Sequence, residues 1–477
     1  MWTKPYGMQE GLLIAGGLIL AGLMLQLSVG PVVWDAFRWP VNGVALTAFL
    51  VIIATIFLLR KKVYGFQFIG TYKAAIPALI CAVVLTIVMG LTPQTTDGTW
   101  LNDMLSFWPF VLIHVYIALI LGLTVLRQFK TWAAANFSLL TFRFSLLLHL
   151  GLFIAMTAAT LGSADMQRLK MITMEGETEW RALTADQQVV EMPIAIELKD
   201  FTMETYDDGS PQRFASSIQI LTQTGKNIQT TVEVNKPVEV DGWKIYQYGY
   251  DTQMGPMSQT SIFELVSDPW LPLVYAGIYM MLAGAVCMLL SAIRRKTSVQ
   301  WNTRTVLPLL LLLTVAFVGV WFFMSALREK NLMPALQSPW FRPHVIAYIF
   351  AYSLLGASAV IAVVGLFRLW SKPSQLALND ILVYAGLAFM TVGMLFGALW
   401  AKEAWGHYWS WDPKETWAAV TWFSYLVYVH YRQIPTHKPR LALWVLLISF
   451  VVLQMCWWGI NYLPSAQGAS VHVYGAG

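Results

Sequence analysis

The sequence predicts a polytopic α-helical membrane protein with about eleven transmembrane helices and one β-rich extracytoplasmic domain. Three observations carry that expectation. Of 477 residues, 57% are hydrophobic and only 12% are charged. The apolar residues gather in runs of roughly 20, the length a helix needs to cross a bilayer. One long stretch, Gly162–Pro269, breaks the pattern: it is polar and alternates apolar with polar residues at the period of strands.

The spans are expected near Leu12–Val29, Val41–Leu59, Ala74–Leu91, Phe107–Leu126, Leu139–Leu161, Trp270–Ile293, Val306–Phe323, His344–Phe367, Ile381–Leu399, Pro413–Tyr431 and Leu441–Ile460. The first is long enough to span, so a cleavable signal peptide is not expected. Basic residues cluster in alternate connections: Arg60, Lys61, Lys62 and Lys73; Arg127 and Lys130; Arg294, Arg295, Lys296 and Arg304; Arg368 and Lys372; Arg432, Lys438 and Arg440. The positive-inside rule places these five on the cytoplasmic side. The N-terminus is then inside and the C-terminus outside. The polar stretch, the loop Met324–Arg342 and the tail Asn461–Gly477 face outward. A formal charge of +5, spread over these loops, reports orientation and argues against a nucleic-acid partner. Cys81, Cys287 and Cys456 lie in apolar runs without a CxxC and read as core residues.

Strand candidates in the polar stretch are Ile194–Leu198, Ile218–Leu221, Thr230–Val234 and Trp243–Tyr248. Thr224-Gly225-Lys226-Asn227 and Asp241-Gly242 read as turns between them. No catalytic cluster is visible there.

The densest chemistry lies at Trp400–Trp417. Trp400, Trp405, Trp409, Trp411 and Trp417 are joined by Tyr408 and interleaved with Lys402, Glu403, Asp412, Lys414 and Glu415. An aromatic belt at the membrane surface needs only one or two rings per helix end. This run is denser, and packed rings make a platform for a large, flat, apolar ligand. Part of it is structural: Asp412 reads as an N-cap, Pro413 as the first helical residue and Glu415 as the partner in a capping box.

Trp405-Gly406-His407-Tyr408-Trp409-Ser410-Trp411-Asp412-Pro413-Lys414-Glu415-Thr416-Trp417 resembles the tryptophan-rich WWD signature of haem-handling proteins in cytochrome c maturation. More narrowly it resembles the CcsA (ResC) family, with His407 at a position usually held by a small residue. The β-rich stretch between spans, preceded by Phe142-Arg143-Phe144-Ser145-Leu146-Leu147-Leu148-His149, resembles the CcsB (ResB) family. The chain as a whole is similar to a fused CcsB–CcsA protein: 138–296 is like CcsB and 304–477 like CcsA. The N-terminal helices, 1–137, fit neither half. Ser106-Phe107-Trp108 with His114-Val115 echoes Ser338-Pro339-Trp340 with His344-Val345, as a partial duplication would.

Seven histidines occur, and histidine within a bilayer is costly unless it has a function. Imidazole is also a common axial ligand of haem iron. His344 opens the eighth span on the outer side, after Met333-Pro334-Ala335-Leu336-Gln337-Ser338-Pro339-Trp340. His472 lies in the outer tail, within Gly468–Gly475. The resemblance implies that these two are the external haem ligands. His430 lies 18 residues past Asp412, about 27 Å along a helix. His149 lies six residues past Arg143, roughly 9 Å from the inner surface. Both fall in the inner half, where the resemblance implies a second haem site with one histidine from each half. His437 reads as solvated. His114 is intramembrane and stays unassigned.

The resemblance thus implies haem b as a transported substrate at two sites, ligated by His344 and His472 outside and by His149 and His430 inside. The outer ring would lie against Trp400, Trp405, Tyr408, Trp409, Trp411 and Trp417, beside Asp412. Lys402, Lys414 and Arg342 are candidates for the propionates. The implied activity is that of a cytochrome c haem lyase in a bacterial cytoplasmic (inner) membrane. Its partners would be an apocytochrome c bearing Cys-x-x-Cys-His, membrane lipid and a thiol reductase. Three rivals stay open: a haem carrier serving a separate ligase, a bis-histidine dihaem electron-transfer protein, and a scaffold with a tryptophan anchor.

Overall fold

The computed structural model describes residues 4–95, 100–137, 144–294, 303–367 and 373–466. His472 and the basic residues Arg143, Arg295, Lys296, Arg368 and Lys372 lie outside the described residues, as does the side chain of Arg304.

Six helices come first: α1 (Met8–Val29), α2 (Val41–Leu59), the short α3 (Tyr64–Ile69), α4 (Tyr72–Leu91), α5 (Trp108–Ala134) and α6 (Phe144–Gly162). Eight strands follow: β1 (Gln167–Met174), β2 (Thr178–Leu183), β3 (Val189–Thr205), β4 (Pro211–Thr222), β5 (Asn227–Glu233), β6 (Val238–Val240), β7 (Trp243–Tyr250) and β8 (Thr260–Ser267). Six more helices complete the fold: α7 (Leu271–Arg294), α8 (Thr303–Glu329), α9 (Phe341–Phe367), α10 (Pro373–Trp405), α11 (Pro413–Arg432) and α12 (Pro439–Trp457).

Among the described residues, ten helices are long and apolar enough to cross a membrane, which makes this a multi-pass membrane protein. The expected tenth span, Pro413–Tyr431, is α11; it is 20 residues long but does not reach the same apolarity. It carries Lys414, Glu415, Thr416, Thr421, Ser424, His430 and Arg432, and it is shielded by protein. Twelve of its residues are buried, against α4, α10 and α12. Polar residues are tolerated at membrane depth when neighbouring helices enclose them.

Close helix approach follows from small residues, the usual basis of packing where lipid removes the hydrophobic drive between helices. A Cβ on Gly277 would lie 2.7 Å from Ala155 N and from Gly151 O, so α6 and α7 touch backbone to backbone. This contact fixes α6, and with it His149. At the end of the helices nearest the sheet, Asp165 accepts from Trp39 N–H, Asn42 Nδ2 and the Trp270 indole, at 2.8, 2.7 and 2.7 Å. That carboxylate ties α2 to the start of α7.

The polar stretch is one antiparallel sheet, ordered β5-β4-β3-β2-β1-β8-β7-β6. All four strand expectations fall on strands, although β5 ends at Glu233, one residue short of the expected Val234. Asp241 and Gly242 have φ of 47° and 83°, the doubly positive pair that a tight β6–β7 hairpin needs. Alternate residues face one core, which joins Ile218, Ile220 and Val232 to Trp243, Ile245, Phe263 and Leu265. The sheet curls until its ends meet: Lys226 and Thr224 beyond β4 bond Asp241 beyond β6. A sheet curled nearly into a barrel in this way shields its edges.

Glu233 ends β5 and receives Arg213 and Lys236. The Arg213 hydrogen bond, followed by that of Lys236, brings its carboxyl down from 4.5 to about 2 against the opposing effect of burial. A depressed folded value contributes stability above the unfolded value, and that contribution is lost as pH falls through the folded one. Glu233→Gln is therefore expected to weaken the β4–β5 hairpin near neutral pH by roughly 1 kcal/mol, the size of a solvent-screened pair. Hydrogen exchange of hairpin peptides reads this. The gap between variant and parent narrows as pH falls from 4.5 and closes at about 2; a gap independent of pH contradicts the assignment.

Candidate functional site

The tryptophan-rich run folds as a helix end, a tight loop and a helix start. α10 ends at Trp405, and Gly406 turns the chain at φ 76°. The cap of α11 is the expected one. Asp412 accepts from Lys414 N–H at 2.8 Å, and Glu415 Oε2 accepts from Ser410 N–H and Asp412 N–H at 2.7 and 3.2 Å. These bonds satisfy backbone donors that a helix start leaves open. Asp412 is buried, and its carboxylate serves the cap.

Between the helices, Trp411 adopts φ 57°, a strained conformation for a bulky residue. Two interactions hold it. Thr416 Oγ1 donates to its carbonyl at 2.9 Å, and its ring packs on Met89, Met104, Phe107 and Phe110. The N-terminal helices, which matched neither half of the sequence resemblance, are thus the seat of Trp411. They also seat Trp417, which is 4% exposed and presses its indole on Gly90 of α4. A Cβ there would meet Trp417 Nε1 at 2.8 Å.

The rings divide into two groups. Trp400 and Trp405 pair at 5.2 Å; Trp400 lies 5.8 Å from His344 and Trp405 stacks 6.4 Å from His407. Trp409 and Trp411 pair at 5.8 Å, and Trp411 meets Phe110 at 5.9 Å. Trp400 and Trp417 are nearly fully buried and belong to the core. The Nε1 atoms of Trp409 and Trp417 are buried and have no acceptor among the described residues. His344 sits on the same end, in the first turns of α9. Its Nδ1 faces Gly393 O at 2.8 Å, and its ring rests on Gly397, where a Cβ would lie 2.8 Å from Nδ1. The α8–α9 loop before it is held by the barrel. Tyr206 donates to Leu332 O, Asn235 to Pro334 O, and Gln337 to Gln212 O.

Lys402 corrects an expectation. It is 1% exposed and therefore not at a rim where a propionate would reach it. Its ammonium donates to Gly406 O at 3.0 Å and lies 3.6 Å from Asp268, at the junction of β8 and α7. It also sits 5.9 Å from the Tyr408 ring. Burial first, and then the Asp268 charge, push the Tyr408 phenol well above its ordinary value, so it stays protonated. Gly406 itself meets Val266 and Tyr246 of the barrel. The barrel thus braces two segments at its own end of the helices, the loop before His344 and the tryptophan loop. Arg342 is exposed and lines a cavity of about 650 Å³ with Lys330 and Tyr206. Lys414 begins α11, and its carbonyl accepts from the Cys456 thiol at 3.8 Å.

At the other end, His149 of α6 and His430 of α11 meet with ring centroids 6.3 Å apart and ring planes at 80°. Their Nδ1 atoms face the carbonyls four residues earlier, Ser145 O at 2.5 Å and Leu426 O at 2.8 Å. A carbonyl only accepts, so in the neutral ring Nδ1 carries the proton and Nε2 the lone pair, the form that binds a metal. Gln128 of α5 and Tyr72 of α4 complete the surroundings. His114 of α5 lies between the ends, with Nδ1 facing Phe110 O at 2.8 Å. His437 is half-buried against Arg432 and Tyr431, where solvation was expected. Arg432 is engaged by Asp380 through two bonds of 2.8 and 2.7 Å.

Residues 140–262 match the ResB-like family, and residues 270–466 match the family described as Cytochrome C assembly protein. The cytochrome c biogenesis protein CcsA of Chlamydomonas reinhardtii is 36% identical over 159 residues, covering 31% of this chain and 44% of that protein. Its counterpart in Prochlorococcus marinus (strain MIT 9312) is 32% identical over 198 residues, 34% of this chain and 63% of that protein. That of Cyanophora paradoxa is 27% identical over 280 residues, 46% of this chain and 85% of that protein. The chain therefore spans 44% and 63% of the first two relatives' own length.

Removing one partner of the Lys402–Asp268 pair leaves a buried charge alone. Lys402→Met or Asp268→Leu is expected to cost about 3–5 kcal/mol, and the double variant much less than the sum. Thermal unfolding in detergent measures this; additive losses contradict the pairing.

Proposed function

We propose that this chain, which joins a ResB-like part to a cytochrome c assembly part, carries haem outward and attaches it to the Cys-x-x-Cys-His thiols of apocytochrome c. The observation that carries this reading is the inner histidine pair. His149 lies in the ResB-like match and His430 in the assembly match, with rings 6.3 Å apart. Two nitrogen-to-metal bonds of about 2 Å each, with the half-widths of two rings, span a similar distance. One imidazole from each part gives a physical reason for the two parts to share a chain.

Haem enters from the cytoplasmic side or the bilayer and rests between His149 and His430. It then moves to the outer end, where His344 and His472 ligate it beside Trp405, Tyr408, Trp409 and Trp411. The apocytochrome supplies both nucleophiles: each thiol S–H adds across one vinyl C=C, with sulfur bonding one carbon and the proton going to the other. Its histidine replaces one external imidazole. The chain contributes position and control of the iron's ligands. In this reading the membrane is the bacterial cytoplasmic one, with the barrel and the tryptophan loop on the periplasmic side. The Lys and Arg bias of the connecting loops supports that orientation. A thiol reductase would keep the substrate cysteines reduced.

The test is maturation of a secreted Cys-x-x-Cys-His reporter in a bacterium lacking its own cytochrome c maturation genes. Covalent haem on the reporter, seen in a denaturing gel, is the expected result. Haem bound to the chain without product favours the carrier reading, and a colourless chain without product overturns haem handling.

Gly397→Ala tests the seat of His344. A methyl group 2.8 Å from Nδ1 displaces the ring. The expected loss in reporter haem is about tenfold or more, as for a misplaced ligand, with haem still copurifying on the inner pair. Full product from this variant contradicts the role given to His344.

A further inference from the structure

We propose that His114 is a third axial ligand for haem iron, placed between the inner pair and the outer tryptophan loop. The inference rests on the haem-carrying reading above and adds to it an interim site on the N-terminal helices, outside both family matches.

Four observations lead to it. The first is an orphan: His114 Nε2 is buried and has no hydrogen-bond partner among the described residues. Buried polar atoms in native folds nearly always have one, and an exception calls for a ligand or a function. The second is preparation. Nδ1 faces Phe110 O at 2.8 Å, which leaves the lone pair on Nε2. His149, His344 and His430 share this arrangement, each with Nδ1 on a backbone carbonyl at 2.5, 2.8 and 2.8 Å.

The third observation is the lining. The imidazole lies between Phe110, at 4.0 Å, and Phe423 of α11, at 6.4 Å. Two aromatic rings beside one nitrogen ligand, Phe110 tilted and Phe423 edge-on, suit an apolar macrocycle and offer little to a small polar ligand. The fourth is position. Phe110, one turn before His114, meets Trp411 of the outer loop at 5.9 Å. Gln128, further along the same helix, reaches His149. On α11, Phe423 is seven residues before His430, about 10 Å by helical rise. The residues that flank His114 therefore lead to the inner pair in one direction and to the outer loop in the other.

The step is ligand exchange. The iron–nitrogen bonds at His149 and His430 break as the macrocycle leaves the inner pair, one iron–nitrogen bond forms at His114 Nε2 when it arrives there, and neither an electron nor a proton is transferred. A macrocycle that must cross most of a bilayer then keeps a ligated iron at an intermediate depth.

The test compares His114→Leu with His114→Met in the full chain. The two replacements have similar volume and apolarity, but only the thioether ligates iron. Two quantities are read: covalent haem on the secreted reporter, and haem copurifying with the chain. The expectation for Leu is a loss of product of about tenfold, with copurified haem kept on the inner pair, as blocked onward transfer requires. Met is expected to keep product within about twofold of the parent, because it restores an axial ligand. Equal product from Leu and parent overturns the inference, as does an equal loss in Leu and Met, which marks a packing role. A parent chain with neither haem nor product overturns the haem reading itself, an outcome distinct from the other two.

Discussion

The structure depends on how α11 begins. Two carboxylates, Asp412 and Glu415, close a capping box on the backbone of a loop rich in aromatic residues. Without that cap the helix start would leave backbone donors open beside the membrane. With it, Trp411 is held at φ 57° on one side of the cap and Trp417 is driven into α4 on the other. The helix then runs inward among other helices, past Phe423, to His430. It is too polar to face lipid, and α4, α10 and α12 enclose it. One buried helix therefore carries both the tryptophan end and the inner histidine.

Around that axis the remaining elements act as braces. α5 runs beside it, through Phe110 on Trp411, His114 near Phe423 and Gln128 on His149 of α6. α6 is fixed to α7 by backbone contact at Gly151 and Gly277, which sets the depth of His149. The barrel reaches down with Val266, Tyr246 and Asp268 to hold Gly406 and Lys402, and with Tyr206, Asn235 and Gln212 to hold the loop before His344. The β-rich domain is thus part of the framework of the tryptophan loop and of the loop before His344, and its curled sheet gives that framework stiffness.

Much of this was legible in the residues. Apolar run length gave the helices, period-two alternation gave the strands, and the Asp-Pro-x-Glu pattern gave the cap, because each is a local signal. The pairing of His149 with His430 followed from helical rise and the resemblance together. What stayed hidden depends on residues far apart in the chain. Nothing near Lys402 announces that its partner is Asp268, so a buried brace read as a rim charge. The tryptophans read as one platform, yet Phe110 and Gly90, some 300 residues earlier, draw Trp411 and Trp417 toward the N-terminal helices. Those helices had no motif of their own, since their contribution is a surface for other residues. That α11 is enclosed by protein was not legible either, because length alone does not separate a lipid-facing helix from an enclosed one.

The central claim is that one histidine from each matched part holds haem at the inner end. The most direct measurement is an electron cryo-microscopy map of the full chain purified with its haem. The account predicts planar density between the imidazoles of His149 and His430, with the metal facing both Nε2 atoms. Haem density found elsewhere, with these two rings in unbroken contact with protein, would contradict it.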